Sequence, residues 1–199
     1  RQGYFKWIRS FGAPKVRMLL RLEYADGKVK DIITDNTWKA AQSAITHSGI
    51  YSGENYDATK ENMPWRKAII TSYNGLLESQ KNPPVKVHEE IAVNRVFKNA
   101  KGNWVYDLGQ NFSGIIRVKL HGAKGKTVTF RPAELLNSDS TVNQSATGKY
   151  TLSYTLKGGK YEEWSPKFTY YGFRYVQLED AVPQDKSNPD SLPVVENLM

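Results

Sequence analysis

The segment Gly53–Asp57 groups side chains that suit the binding of a polar ligand. It places two carboxylates, an amide and a phenol in a predicted loop that begins with glycine. These groups can hydrogen-bond sugar hydroxyls, and the carboxylate and amide oxygens can also coordinate calcium. The same residue types make polar turns, in which Asp and Asn side chains bond to nearby backbone groups. The segment therefore predicts a site for carbohydrate or calcium, with a structural turn as the alternative.

Trp38 is the aromatic residue that can complete such a site. Its ring can stack on the face of a sugar, or it can fill the interior of a sandwich. We predict that one set of residues binds carbohydrate: Trp38, Glu54, Asn55, Tyr56 and Asp57. Calcium in this region is the one cofactor that the sequence leaves open.

Neighbouring acidic residues elsewhere in the chain do not predict a catalytic pair. The sequence contains three such pairs, Glu89-Glu90, Glu162-Glu163 and Glu179-Asp180. Adjacent residues on a strand point to opposite faces, so the two members of a pair cannot act on one bound molecule. The chain has no cysteine, and none of its three histidines lies at zinc-ligand spacing from another. We therefore predict no catalytic residue and, apart from the calcium left open above, no metal site.

Other polar residues in strand-like segments are interpreted as structural. Asp107, Gln110 and Asn111 can satisfy backbone groups where a strand bends, as buried polar groups require. Glu134 and Arg174 form a candidate ion pair between two such segments.

The formal charge of +8 raises the question of a nucleic-acid partner, because basic residues neutralise phosphates. The lysines and arginines are spread along the chain, however, and Arg66-Lys67 is their only adjacent pair. Scattered basic residues are typical of a solvated surface, so no nucleic-acid partner is predicted. No stretch approaches the roughly 20 apolar residues that span a bilayer. The start at Arg1, without a methionine or an apolar core, indicates a cut inside a longer protein.

Alternating apolar and polar residues, punctuated by glycine, predict strands along the chain. Residues 16–24 alternate in this way, Asp26-Gly27 signals a tight turn, and residues 29–34 form the returning strand. Residues 116–120 and 128–130 are predicted as another pair of strands. Helical periodicity of any length is absent. We therefore predict an all-β fold, an antiparallel β-sandwich or jelly roll.

Pro83 and Pro84 mark the expected domain boundary, because prolines remove backbone donors and force extended conformations. Residues 83–181 have the size of one complete sandwich. Residues 1–82 are too few for a second complete sandwich, so we predict that they form part of one. The polar, proline-bearing residues 182–199 are predicted to form a linker.

Several sequence blocks, taken in order, resemble one known family. The blocks are residues 22–27, 34–38, 50–58, 83–90, 107–114, 132–136, 150–152 and 168–176. Together they resemble the non-catalytic β-sandwich region of bacterial α-L-rhamnosidases of glycoside hydrolase family 78. The blocks before residue 83 resemble the second half of the family's amino-terminal, sugar-binding-type module. The later blocks resemble the concanavalin-like domain that follows it.

The resemblance implies a parent enzyme that hydrolyses terminal α-L-rhamnose from glycosides or polysaccharides with inversion. It implies that the catalytic carboxylates lie in an (α/α)6 domain beyond these residues, and that this non-catalytic region braces that domain. It also implies an extracellular or periplasmic location. No part of the chain resembles the first half of the amino-terminal module, where much of its sugar or calcium site is expected. A free-standing carbohydrate-binding module is the alternative function.

Overall fold

The computed structural model describes residues 15–72, 75–79, 81–145 and 148–199. A short 3-10 helix covers Ala58–Lys60. The strands are β1 (Leu19–Glu23), β2 (Val29–Ile33), β3 (Lys39–Ala40), β4 (Ile45–Gly49), β5 (Gly53–Asp57), β6 (Arg66–Lys67), β7 (Arg95–Lys98), β8 (Trp104–Gly114), β9 (Val118–His121), β10 (Thr127–Ala133), β11 (Leu135–Leu136), β12 (Val142–Asn143), β13 (Thr151–Thr155), β14 (Glu162–Trp164), β15 (Tyr171–Glu179), β16 (Val182–Pro183) and β17 (Val194–Leu198). The predicted all-β class is confirmed. No helix in the described ranges is long and apolar enough to cross a membrane.

The chain divides into two compact units. Residues 1–42 and 62–87 make up the first unit, and residues 43–61 and 88–199 make up the second. The predicted boundary after residue 82 does not separate these units, because 43–61 belongs with the later part of the chain.

The first unit contains two small antiparallel sheets, β1 with β2 and β3 with β6. The β1–β2 hairpin turns at Asp26-Gly27, as predicted, and Arg21 pairs with Asp31 across it at 2.8 Å. The sequence predicts one buried face for this hairpin, whereas Leu19 and Leu20 are exposed and no residue of β1 or β2 is buried. The alternation of apolar and polar residues therefore predicts that these strands form, but it does not predict whether their apolar side chains are buried.

The second unit is a sandwich of two main sheets, and it also contains the two-stranded sheet of β11 with β12. A seven-stranded sheet has the order β4-β5-β13-β10-β15-β8-β7, and a four-stranded sheet has the order β14-β9-β17-β16. Every second side chain of β13 is buried, Leu152 and Tyr154, and β9 likewise buries Val118 and Leu120. These side chains join one hydrophobic core. The predicted β-sandwich is confirmed.

Two predicted connections differ from the structure. Residues 116–120 and 128–130 contribute strands, but β9 and β10 belong to different sheets and are not partners. A glycine turn between two alternating runs serves a crossover between sheets as well as a hairpin, so the pattern does not distinguish them. Residues 182–199, predicted as a linker, contain β16 and β17, and β17 pairs with β9.

Strand β5 joins the second unit through a parallel pairing with β13. Gly53 lies opposite Thr151, with a φ of 93°. A Cβ atom at this glycine would lie 1.8 Å from the carbonyl oxygen of Thr151. The close approach of the two strands therefore requires glycine.

Candidate functional site

Strand β5 carries four of the five predicted site residues and divides them between two faces of the sheet. Glu54 and Tyr56 lie opposite buried residues of β13, on the core side. Because side chains alternate along a strand, Asn55 and Asp57 lie on the outer face. The segment is therefore a strand rather than a loop, and its polar side chains do not share one face.

Glu54 is fully buried, and its carboxylate accepts hydrogen bonds from two backbone amides. The N–H groups of Lys167 and Phe168 donate to Oε2 at 3.1 and 3.4 Å. Such donors compensate a buried carboxylate for the water that it loses. Glu54 therefore ties the segment before β15 to β5.

Tyr56 belongs to a polar chain at the margin of the core. Its hydroxyl donates to Glu61 Oε1 at 2.9 Å, and Lys157 Nζ donates to Glu61 Oε2 at 2.6 Å. Its ring stacks on Tyr154, with centroids 5.6 Å apart. Burial, and then the bond to the Glu61 carboxylate, raises the pKa of Tyr56 to about 12. The phenol is therefore a fixed, protonated donor at neutral pH.

Asp57 caps the 3-10 helix. Its Oδ1 accepts hydrogen bonds from the Thr59 N–H at 3.1 Å and the Thr59 hydroxyl at 2.6 Å, and Lys60 lies 2.9 Å from Oδ2. The hydroxyl bond from Thr59, acting against burial, lowers the pKa of Asp57. Asp57 thus makes the polar turn that the sequence allowed as an alternative. Asn55 is half-buried on the same face.

Trp38 belongs to the first unit, whereas the other four predicted residues belong to the second. Its indole Nε1 donates to the Ile33 carbonyl oxygen at 3.0 Å, and its ring is half-buried. In the part of the chain that the structure describes, no three His, Asp or Glu side chains group to hold a metal ion. The carbohydrate-binding and calcium assignments stay predictions.

A second cluster forms where the sequence blocks 107–114 and 168–176 meet, in the neighbouring strands β8 and β15. Asp107 is almost fully buried there, and it accepts hydrogen bonds from Arg174 Nε at 2.8 Å and Arg95 Nε at 3.1 Å. One carboxylate thus binds two guanidinium groups. The ion pairs of this cluster connect side chains on three adjacent strands, β7, β8 and β15.

The electrostatics of this cluster favour the charged carboxylate. The bond from Arg174, assisted by the Gly109 N–H and Arg95 against the effect of burial, lowers the pKa of Asp107 to about 2. The guanidinium of Arg95 also lies 4.9 Å from the ring centroid of Phe97. Asp107 is therefore ionised across the physiological range and has no free oxygen for chemistry.

This cluster corrects one prediction and adds one residue. The candidate ion pair between Glu134 and Arg174 is wrong, because Arg174 pairs with Asp107. Arg95 was not predicted, since its contact depends on the register of β7 with β8, in which Arg95 lies opposite Asp107. The sequence indicated a structural role for Asp107 and an ion pair for Arg174, but not that the two residues meet.

Glu162 forms a third buried acidic site, in the four-stranded sheet. Its carboxylate accepts hydrogen bonds from the Tyr154 hydroxyl at 2.9 Å and from the N–H groups of Lys157, Gly158 and Gly159 at 3.0 to 3.1 Å. Burial by itself would raise the pKa of Glu162. The four hydrogen bonds together outweigh burial, so the pKa of Glu162 lies below its ordinary value. The turn after β13 is therefore wrapped around an anion.

Replacing Glu162 with glutamine is expected to destabilise the second unit by about 2 kcal/mol, because an amide nitrogen then faces backbone donors. Urea unfolding at pH 7 measures the change. The exposed neighbour Glu163 provides the control, since Glu163→Gln should stay within about 0.5 kcal/mol of the parent chain. Equal effects of the two substitutions would show that the turn does not depend on the carboxylate.

Comparison with known proteins identifies the two parts of the chain. A sequence model described as bacterial alpha-L-rhamnosidase concanavalin-like domain matches residues 97–196, and one described as alpha-L-rhamnosidase N-terminal domain matches residues 3–89. The chain belongs to the bacterial alpha-L-rhamnosidase family. The resemblance drawn from the sequence blocks is thereby confirmed.

Individual relatives agree with this family. An alpha-L-rhamnosidase of Streptomyces avermitilis is 36% identical, over 83% of this chain and 17% of its own length. The solved alpha-L-rhamnosidase of Dictyoglumus thermophilum has a TM-score of 0.74 and 33% identity, over 91% of this chain and 22% of its own. The Streptomyces avermitilis enzyme complexed with L-rhamnose has a TM-score of 0.69 and 32% identity, over 90% of this chain and 19% of its own. This rhamnosidase-family chain therefore spans about one fifth of the length of these relatives.

Proposed function

We propose that the chain is the ancillary β-sandwich region of an enzyme that hydrolyses terminal α-L-rhamnose, with inversion, from glycosides or polysaccharides. Its role is to brace and orient an (α/α)6 catalytic domain of the same longer protein. The bond-breaking carboxylates belong to that domain, so these 199 residues are non-catalytic by themselves.

One observation carries this proposal: relatives named alpha-L-rhamnosidase match this chain over 83 to 88% of its length but only 17 to 21% of theirs. The carboxylates give further support. An inverting glycosidase needs an acid and a base about 6.5 to 9.5 Å apart and open to a sugar. The buried Glu54, Asp107 and Glu162 instead accept hydrogen bonds from backbone amides or arginines.

The chain alone is expected to release no aryl group from an aryl α-L-rhamnoside above a protein-free blank. The longer protein that contains it should hydrolyse the same substrate, which serves as the positive control. Saturable turnover by the 199 residues alone would contradict the non-catalytic role. An inactive longer protein would contradict the rhamnosidase assignment.

A free-standing carbohydrate-binding module is the less supported alternative, because Glu54 and Asp57 already bind protein groups. The observation in favour of this alternative is that the Trp38 ring is only half-buried, so part of it is open to a sugar. Titration with L-rhamnose, with and without calcium, distinguishes the two functions. Saturable binding that is lost in Trp38→Ala would favour the binding module, and no binding at millimolar sugar would count against it.

A further inference from the structure

Two adjoining loops at one end of the seven-stranded sheet expose large apolar side chains. Ile50 and Tyr51 in the β4–β5 turn are 51% and 59% exposed, and Phe168 and Tyr170 before β15 are 67% and 55% exposed. We call these four residues the aromatic patch. Grouped apolar exposure of this kind marks interaction surfaces in soluble proteins, whereas single exposed residues do not.

Hydrogen bonds hold the two loops of the aromatic patch together. The Tyr171 hydroxyl donates to the carbonyl oxygen of Gly49 at 3.4 Å, which joins the residues that flank the patch. The buried carboxylate of Glu54 accepts the N–H of Phe168 itself. The patch is therefore presented on a fixed backbone, and a partner that binds it does not have to order these loops.

The patch lies beside an open sheet edge. Strand β4 is the last strand of the seven-stranded sheet, and within the described ranges no strand pairs with its outer side. An unpaired edge next to exposed apolar side chains favours association, and stable proteins usually cover such edges. We therefore expect a partner to cover the edge of β4 and the aromatic patch.

We propose that the aromatic patch and the outer edge of β4 dock an apolar face of another domain of the same longer protein. This inference rests on the proposed function. The chain accounts for about one fifth of its relatives' length, so most of such a protein lies outside these residues. The patch contains no charged side chain, and Tyr and Phe are enriched at protein interfaces. Ile50 has no flat face for a sugar ring, so a protein surface fits better than a glycan.

Hydroxyl-radical footprinting tests the docking. Oxidation of Tyr51, Phe168 and Tyr170 is measured by mass spectrometry in the 199-residue chain and in the longer protein that contains it. The rates at the patch are expected to fall about tenfold in the longer protein, because interface cores exclude water. Leu135 and Tyr161, exposed elsewhere in the second unit, serve as controls and should keep their rates.

The outcomes separate this inference from the proposed function. Equal oxidation of the patch in both proteins overturns the docking surface, even if the longer protein hydrolyses a rhamnoside. Protection of the patch in a longer protein without rhamnosidase activity supports the docking and refutes the proposed function.

A pair of substitutions gives an independent test. Phe168→Ser combined with Tyr170→Ser should leave the Tm of the chain alone unchanged, because both side chains are exposed. The same changes should lower the Tm of the longer protein by about 5 °C, through the loss of interface anchors. Leu135→Ser is the matched control and should shift neither. An unchanged Tm in the longer protein would overturn the proposal.

Discussion

Gly53→Ala is expected to destabilise the second unit by about 3 to 5 kcal/mol, a loss in the upper range for single substitutions. The new Cβ would lie 1.8 Å from the carbonyl oxygen of Thr151, and φ at this position is 93°. Relief of the clash requires β5 and β13 to move apart, which breaks their parallel pairing. Urea unfolding followed by the fluorescence of core tryptophan measures the loss.

Gly102→Ala separates the clash from backbone strain. Gly102 has a φ of 83°, close to that of Gly53, but a Cβ atom there meets nothing within 4 Å. Gly102→Ala should therefore lower the free energy of unfolding by only about 1 to 2 kcal/mol, which is the cost of a left-handed backbone conformation for alanine. Equal losses for the two variants would show that the contact with β13 is not what selects glycine at position 53.

Asp107→Asn is the second change with a large expected effect, a loss of about 3 kcal/mol at pH 7. It replaces a buried oxygen that accepts hydrogen bonds from Arg174, Arg95 and the Gly109 N–H with an amide whose nitrogen cannot accept them. Asp180→Asn, which alters an exposed carboxylate at the end of β15, is the control and should change stability by less than about 0.5 kcal/mol.

The acid dependence of stability provides a sharper readout for Asp107. Its pKa in the folded protein is about 2, below the ordinary value of 3.8. Because the folded pKa is depressed, the stabilisation is fully present above pH 4, at about 2 kcal/mol, and is lost as pH falls towards 2. The difference in the free energy of unfolding between the parent chain and Asp107→Asn should therefore decrease as the pH falls from about 4 to about 2. A constant difference would show that the carboxylate charge is not what stabilises the cluster.

Local sequence signals predicted some strands well. Asp26-Gly27 predicted the β1–β2 turn, and the predicted strand at residues 128–130 matches the alternating burial of Val128 and Phe130 in β10. The sequence predicts a loop at β5 because Glu54, a charged residue, occupies a core-facing position and breaks the alternation of apolar and polar residues. Its burial depends on amides of residues 167 and 168, more than a hundred positions later, which no local pattern reveals.

The same limit applies to the buried clusters. The sequence blocks 107–114 and 168–176 indicated that Asp107 and Arg174 lie in strands, but their pairing arises from the neighbouring positions of β8 and β15. The sequence predicts a linker at β17 because proline and aspartate precede it, whereas its pairing with β9 stabilises it as a strand. Pairing between distant segments therefore accounts for what the sequence did not predict.

The parallel pairing of β5 with β13 also affects synthesis on the ribosome. β5 ends at Asp57 and β13 at Thr155, so the nascent chain completes the partner 98 residues later. At ribosomal rates of about 5 to 20 residues per second, this interval lasts roughly 5 to 20 s. During this interval the β4–β5 hairpin lacks its partner strand β13, so the growing polypeptide carries an unpaired strand edge that favours association.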